Sequence, residues 1–298
     1  MIPPYLKPGD KVGIISTAKQ AEPEEIEHGI ATLKNWGLVP VIGANAFKKD
    51  GFLAGTDAER AHDLQQMLDD DSIKAVFFTK GGYGTLRIID SIDFTKFKQN
   101  PKWIVGYSDI TLLHCHIHNF GIQTVHAVML QGMAKSTRES SETICNAVFG
   151  ESLTYEIPAE AENRVTEEII EGTLIGGNLS MLYAITGSES DIDTTGKILF
   201  IEDIDEYLYH FDRIMISLKR AGKLSGLKAI LVGGMVDIKE STIPFGRNER
   251  QMILEHTAEY GYPVYFGFPA GHIEDNRALI LGRQICITNG LTVKIDFL

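Results

Sequence analysis

The chain has 298 residues, of which 44% are hydrophobic and 23% are charged, and its formal net charge is −12 at pH 7. These values are typical of globular proteins and exclude a collagen-like, a disordered or a disulfide-scaffold protein. The acidic balance also argues against a nucleic-acid binder that relies on a basic surface.

Cysteine usage and hydropathy indicate the compartment. Cys115, Cys145 and Cys286 are an odd number at wide spacing, which favours a reducing environment over a secreted disulfide framework. The N-terminal stretch has no apolar signal-peptide core, and no apolar run approaches the roughly 20 residues that span a bilayer. We therefore expect a soluble cytoplasmic protein with no membrane or nucleic-acid partner.

Strand and helix patterns alternate over the first 130 residues. Short apolar runs of the buried-strand type occur at residues 11–17, 38–42, 75–78 and 103–105. Helical patterns follow each of them, starting at Pro23, at the capping pair Thr56 and Glu59, over residues 86–92 and after residue 105. This alternation predicts an α/β fold in which helices cover both faces of a parallel sheet.

The pattern changes near residue 150. Residues 151–171 contain seven glutamates and one arginine with little periodicity, which predicts a connection between domains. Apolar strands at 197–201 and 229–232, an amphipathic helix over 207–221 and a two-residue hairpin signal at Asn289-Gly290 follow. We therefore predict an α/β domain over 1–150, an acidic connection over 151–171 and a C-terminal domain over 172–298 that is richer in antiparallel strand.

Ser108 lies where the strand ending at Gly106 turns directly into a helix. A serine on such a bend exposes its hydroxyl, and the following backbone N–H faces the same point. The helix N-terminus also offers positive partial charge to a developing oxyanion. This arrangement suits a nucleophile, although an ordinary helix N-cap is an alternative interpretation. The motif G-x-S-x-G is incomplete, because Ile110 stands at the position of its second glycine.

A glycine-rich turn, Lys80-Gly81-Gly82-Tyr83-Gly84, follows the third strand. Backbone amides in such a turn can approach a ligand closely. Neither nucleotide-binding glycine motif is present, so a phosphate site is less favoured than amides that bind a carbonyl oxygen. A plain tight turn is the remaining interpretation.

Two further segments supply a carboxylate and a histidine. Glu202 ends an apolar strand, where open α/β sheets place functional groups, and a buried carboxylate needs a partner. His272 lies in a turn that contains Pro269 and Gly271. Most histidines in such loops are solvated or structural. Together with Ser108 they would provide the nucleophile, base and orienting acid of a catalytic triad.

Other polar residues have simpler interpretations. His114 and His118 share a helix face, but no H-E-x-x-H motif or second ligand group accompanies them, so we expect neither a metal nor a cofactor. Asn178 follows two glycines and is typical of a helix N-cap, and Ser180 inside that helix is a poor nucleophile candidate.

Six segments in this order resemble the LD-carboxypeptidases, or murein tetrapeptide carboxypeptidases, serine peptidases that include the microcin-C immunity enzymes. The segments are LKPGDKVGIIST, KGGYG, GYSD, GGN, LFIEDIDE and GHIEDN with the later LILG. The resemblance covers nearly the whole chain. It implies a Rossmann-like N-terminal domain and a smaller β-rich C-terminal domain, with the active site between them and usually a homodimer.

By that resemblance, Ser108 is the nucleophile, His272 the base and Glu202 the residue that orients it. The backbone N–H groups of Asp109 and of Gly81 or Gly82 would form the oxyanion hole. The implied reaction is hydrolysis, through an acyl-enzyme, of the bond between an L-configured residue and a terminal D-alanine in a muropeptide tetrapeptide. This activity would belong to peptidoglycan recycling.

The sequence departs from the family in two places that bear on substrate choice. Lys80 stands where arginine is common, and lysine cannot make the same bidentate contact. Ala127-Val128 follows His126, where family members often have Gly-Pro. Tyr83 and Asn178 are the candidate substrate-binding residues.

Two alternative functions remain open at this point. One is an immunity-type hydrolase that cleaves peptidyl- or acyl-aminonucleotide conjugates with the same triad. The other is a non-catalytic small-ligand binding module that uses the glycine turn. Residues 151–171 contain no tryptophan that could stack on an adenine, which favours the muropeptide.

Overall fold

Two β-sheets organise the computed structural model, which describes residues 1–165 and 169–298. In the part of the chain that is described, the first sheet contains β1 (Lys11–Ile15), β2 (Val39–Ile42), β3 (Ile73–Phe78), β4 (Trp103–Gly106), β5 (Thr124–His126) and β11 (Leu279–Leu281). The second contains β6 (Thr154–Pro158), β7 (Ile169–Asn178), β8 (Ile198–Ile204), β9 (Ala229–Val236), β10 (Val264–Tyr265), β12 (Gln284–Asn289) and β13 (Thr292–Phe297).

The first sheet has the order β11-β5-β4-β3-β1-β2, and its strands are parallel except for β11. Helices alternate with these strands: α1 (Glu27–Asn35), α2 (Asp57–Asp69), α3 (Thr95–Gln99), α4 (Thr111–His118) and α5 (Arg138–Phe149). Neighbouring strand residues belong to different apolar clusters: Val76 packs in the cluster with Leu64 of α2, and Phe77 in the cluster with Leu33 of α1. Both sheet faces are therefore covered, which confirms the predicted α/β architecture.

Residues 86–92 do not form the predicted helix. The chain makes two short 3-10 turns instead, Thr85–Arg87 and Ile89–Ser91. Thr85 is held by Asp109, whose Oδ2 accepts hydrogen bonds from the Thr85 N–H at 2.9 Å and from its Oγ1 at 2.5 Å. Because this contact fixes the chain directly after the glycine turn, the segment closes with i→i+3 bonds before an α-helix can develop.

The second sheet has the order β10-β9-β8-β7-β12-β13-β6, parallel from β10 to β7 and antiparallel from β7 to β6. Three helices follow its strands: α6 (Leu179–Ala184), α7 (Leu208–Arg220) and α8 (Glu249–Thr257). Every helix among the described residues is too short or too polar to cross a lipid bilayer.

Part of the acidic segment belongs to this second sheet. Thr154–Pro158 pairs with β13 as an edge strand, and its alternate residues Tyr155 and Ile157 are buried. The alternation spans only five residues, too few to stand out in the sequence. Thr166, Glu167 and Glu168 of the predicted connection lie outside the described residues. The division into domains stays a prediction.

The predicted hairpin joins β12 and β13, but the two residues between the strands are Gly290 and Leu291 instead of Asn289 and Gly290. Asn289 itself pairs with Val293. The Asn289 Nδ2 donates a hydrogen bond to the Tyr265 hydroxyl at 2.8 Å, which keeps Asn289 in the strand.

Contacts between the sheets place their carboxyl ends side by side. Strand β11, from the C-terminal part of the chain, pairs with β5 so that Leu279 lies opposite His126. Where β7 ends, the Asn178 N–H donates to Thr111 Oγ1 at 2.9 Å, one turn beyond Ser108. The ends of β4, β5 and β7 therefore lie close together, and Glu202 on β8 pairs with Asn178 at the end of β7.

Candidate active site

Ser108 has a strained backbone. It follows β4 and opens a single 3-10 turn that leads into α4. Its φ of +59° lies in the left-handed region, which a residue with a Cβ seldom adopts. Such strain is typical of functional positions, where the surrounding structure stabilises it. The sharp bend expected from the sequence is present without the second glycine of G-x-S-x-G.

Three side chains from distant parts of the sequence meet at this bend. The Nε2 of His272 lies 3.2 Å from the Ser108 Oγ, and its Nδ1 lies 2.7 Å from Oε2 of Glu202. Since the Glu202 carboxylate accepts a hydrogen bond from Nδ1–H, the lone pair of neutral His272 is on Nε2 and faces the serine hydroxyl. This tautomer is the one that a general base requires.

Gly271 allows His272 and Glu202 to approach each other. Its φ is +109°, and a Cβ at this position would lie 2.8 Å from the Cβ of Glu202. The Gly271 N–H donates to Oδ1 of buried Asn276 at 2.9 Å, which fixes the turn. A residue with a side chain at 271 would push the histidine away from the carboxylate.

The electrostatics of the pair favour an ionised carboxylate. Burial by itself raises the pKa of Glu202, but the adjacent rings of His126 and His272 lower it by a larger amount. The pKa of Glu202 therefore lies well below its usual range. Burial lowers the pKa of His272, yet the hydrogen bond and charge of Glu202 raise it above the usual value. The site therefore stabilises an imidazolium, which is the state that His272 reaches after it has accepted a proton.

The backbone of Gly81 faces the serine. A Cβ on Gly81 would lie 3.3 Å from Ser108 Oγ and 2.9 Å from Cε of Met129, whereas a Cβ on Gly82 would meet Lys19. Asp109 directs its carboxylate away from the site, towards Thr85. The backbones of Gly81 and Asp109 therefore both lie next to Ser108. Their role as oxyanion donors stays a prediction.

Arg60 supports the glycine turn, and sequence reasoning missed it. Its side chain is fully buried, and Nη1 donates to the carbonyls of Thr17 at 2.6 Å and Gly84 at 2.9 Å. No motif marks an arginine on a polar helix as buried, so only the tertiary contacts identify it. His126, which lies beside Glu202, was also missed as a site residue and is considered below.

The two candidate substrate-binding residues lie in different surroundings. Tyr83 is 48% exposed on the glycine turn. Asn178 is buried and caps α6: its Oδ1 accepts from the Met181 N–H at 3.1 Å and its Nδ2 donates to Asp203 at 2.9 Å. The predicted N-cap is therefore present, and a contact of either residue with substrate stays a prediction.

His114 of α4 contacts a backbone carbonyl of β4. The His114 Nε2 lies 2.8 Å from the carbonyl oxygen of Gly106, and burial lowers its pKa to about 3, so the neutral ring donates from Nε2. Over residues 1–165 and 169–298, no group of three or more His, Cys, Asp or Glu side chains is arranged to hold a metal ion.

An open cavity of about 500 Å³ adjoins the serine site. Its lining includes Gly81 and Tyr107 together with Glu25, Lys80 and the exposed Lys135. The Lys80 Nζ donates to both carboxylate oxygens of Glu25, at 3.0 and 2.8 Å. The lining therefore carries two cations and one anion beside the nucleophile.

Two family models match the chain. The LD-carboxypeptidase N-terminal domain matches residues 12–127, and the LD-carboxypeptidase C-terminal domain matches residues 171–287. A relative from Bacillus subtilis (strain 168), described as a probable murein peptide carboxypeptidase, is 36% identical over 291 residues. The alignment covers 95% of this chain and 90% of the relative.

Solved structures share the fold. The muramoyltetrapeptide carboxypeptidase from Oxalobacter formigenes superposes with a TM-score of 0.86 at 24% identity, over 96% of this chain and 98% of that chain. The microcin C7 self immunity protein MccF, in complex with aspartyl sulfamoyl adenosine, superposes with a TM-score of 0.88 at 23% identity, over 100% and 99%.

Proposed function

The chain belongs to the LD-carboxypeptidase family, and on this premise we propose that it is a serine peptidase with a Ser108-His272-Glu202 triad. Its substrate is a muropeptide tetrapeptide, from which it releases the terminal D-alanine by hydrolysing the bond to an L-configured centre. The observation that carries the proposal is the continuous contact from Ser108 Oγ through His272 to the buried Glu202.

The reaction begins with proton transfer. His272 Nε2 accepts the proton of Ser108 as Oγ attacks the carbonyl carbon, and Glu202 stabilises the imidazolium. His272 then donates that proton to the leaving nitrogen, which releases D-alanine and forms an ester on Ser108. Water, deprotonated by the same histidine, hydrolyses the ester and restores the free serine.

Backbone amides stabilise the charge that develops on the carbonyl oxygen. The N–H groups of Asp109 and of Gly81 are the donors that the proposal assigns, because both residues adjoin Ser108. Removal of one such donor in a serine protease typically costs about 10²–10³ in turnover. A methyl group on Gly81 would occupy this space, so the glycine is required for the oxygen to enter.

The leaving group occupies the cavity beside Gly81. A terminal D-alanine carries a carboxylate, and Lys80 and Lys135 are the cations of the cavity lining. Lys80 is fixed by Glu25 and supplies a point charge, not the bidentate contact of an arginine. In the proposal, these lysines select a substrate with a free carboxyl terminus.

The name of the Bacillus subtilis relative favours a murein peptide over an aminonucleotide conjugate.

A substrate comparison tests the proposal. Purified enzyme is incubated with a tetrapeptide ending in D-alanine, with its diastereomer ending in L-alanine, and with a peptidyl-aminonucleotide. Chromatography of the products should show alanine released only from the first peptide. Cleavage of the aminonucleotide alone would support the immunity-type function, and binding without cleavage of any compound would support a binding module.

We also propose that the protein is cytoplasmic, acts in peptidoglycan recycling and assembles as a homodimer. Cys115, Cys145 and Cys286 are free thiols, as a reducing compartment allows. Light scattering on the purified protein checks the assembly, and twice the chain mass of 33.0 kDa is the expected result.

A further inference from the structure

His126 is a buried histidine that the triad does not use. It ends β5, where its backbone lies between Gly106 of β4 and Leu279 of β11. The side chain is fully buried, and neither ring nitrogen has a hydrogen-bond partner among the described residues. A buried polar group without a partner destabilises the fold, so its presence calls for a functional explanation.

Glu202 has an unsatisfied atom of the opposite polarity. Its Oε2 accepts a hydrogen bond from Nδ1–H of His272, but its buried Oε1 lacks a hydrogen-bond partner in the described part of the chain. The His126 Nε2 lies 4.0 Å from this oxygen. The gap exceeds a hydrogen bond of about 2.7–3.2 Å by roughly 1 Å, a distance that a small rotation of either side chain closes.

The other groups that face His126 do not compete for it. The ring of Phe200 on β8 makes a T-shaped contact with His126 at a centroid distance of 5.0 Å, and the rings of Tyr107 and His114 lie 5.9 and 6.3 Å away. Burial and the charge of Glu202 raise the pKa of Tyr107 to about 12, and burial keeps His114 neutral. Glu202 is therefore the charged group that faces the ring directly, with His272 on its far side.

We propose that His126 is a positioning residue of the active site, which donates its Nε2–H to Oε1 of Glu202. The functional chain then runs Ser108, His272, Glu202, His126, and it rests on the proposed function. Held at both oxygens, the carboxylate keeps its plane towards His272 Nδ1 while the proton moves. The donor also draws charge towards Oε1, which moderates the attraction of Oε2 for the His272 proton.

The proposal predicts a change in the base itself when the donor is removed. In His126→Phe, the carboxylate charge concentrates on Oε2, so His272 holds its proton more strongly and becomes available as a base at higher pH. His126→Gln retains an N–H donor at a similar reach. The matched control is His28→Phe, which replaces an exposed histidine outside the site.

The readout is the rate at which a fluorophosphonate labels Ser108, measured against pH by intact-mass spectrometry. Labelling requires the nucleophile and base but not the natural substrate, so it separates this inference from a failure of the substrate assignment. We expect His126→Phe to label about 10- to 100-fold more slowly, the loss of one hydrogen bond to a charged group, with its acid limb at higher pH. His126→Gln and His28→Phe should keep the wild-type rate and limb.

Two results would overturn the proposal. One is a wild-type rate and pH limb in His126→Phe. The other is an equal loss in the Phe and Gln variants with an unchanged limb, which would assign His126 a packing role. If His126→Phe does not fold, the His272 Nδ1–H proton resonance in His126→Gln decides: it stays at the wild-type downfield position if Gln replaces the donor, and a shift refutes the proposal.

Discussion

The backbone of Gly81 lies against the side chain of Ser108, so that a Cβ on Gly81 would be 3.3 Å from the serine Oγ. We predict that Gly81→Ala reduces kcat/KM about 10²–10³-fold, because the methyl group displaces the carbonyl oxygen from its donors. The fold should persist, since the nearest obstacle is the terminal methyl group of Met129, the far end of an unbranched side chain. Gly290→Ala, which meets nothing closer than 3.6 Å, is the control. Unchanged kinetics in Gly81→Ala would contradict this oxyanion site.

The positive φ of Ser108 predicts a stability difference between two inactive variants. Glycine adopts φ of +59° without strain, whereas alanine does not. Ser108→Gly should therefore unfold at a higher temperature than Ser108→Ala, by about 1–2 °C if the strain is near 1 kcal/mol. Differential scanning calorimetry measures the two transitions. Equal melting temperatures would show that the bend costs nothing.

The pKa of His272 predicts the acid limb of the pH profile. Glu202 raises this pKa above its usual value, and the base acts only when neutral, so kcat/KM should rise with pH through that raised value. In Glu202→Gln the raising charge is lost while burial remains, so the limb should move to lower pH. Turnover should fall by about 10⁴, as for the equivalent change in a serine protease. An acid limb at the wild-type pH in Glu202→Gln would show that Glu202 does not raise the pKa of His272.

The lysines of the cavity predict the preference for a free carboxyl terminus. Lys80→Met should raise KM about tenfold for the tetrapeptide, the cost of one charged hydrogen bond, and leave a C-terminal amide analogue unaffected. Because the variant also removes the cation that pairs with Glu25, Lys80→Met with Glu25→Gln is the control. If the double variant recovers the wild-type KM, Lys80 only neutralises Glu25 and does not bind substrate.

Local sequence patterns predicted the elements that carry the site better than the contacts between them. The apolar run before Gly106 predicted the strand that leads to Ser108, and the capping pair Thr56 and Glu59 begins α2 as expected. Both signals act within a few residues. The 3-10 turns over 85–91 differ from the helical prediction because Asp109, more than twenty residues away, holds Thr85.

The active-site contacts depend on longer separations. Ser108 and His272 are 164 residues apart, and no periodicity predicts that they meet; only the combination of residue types and the family resemblance suggested it. The pairing of β11 with β5, which puts Leu279 opposite His126, had no sequence signal at all. His126 and Arg60 were missed for the same reason, since their environments are created by tertiary packing.

Release of D-alanine by wild type and by Ser108→Ala tests the central claim most directly. Both proteins are incubated with the tetrapeptide ending in D-alanine, and free D-alanine is quantified over time, with calorimetry confirming that the variant is folded. The triad predicts steady turnover by wild type and none above the uncatalysed rate by Ser108→Ala. Release at a comparable rate by the folded Ser108→Ala variant would contradict the assignment of Ser108 as nucleophile.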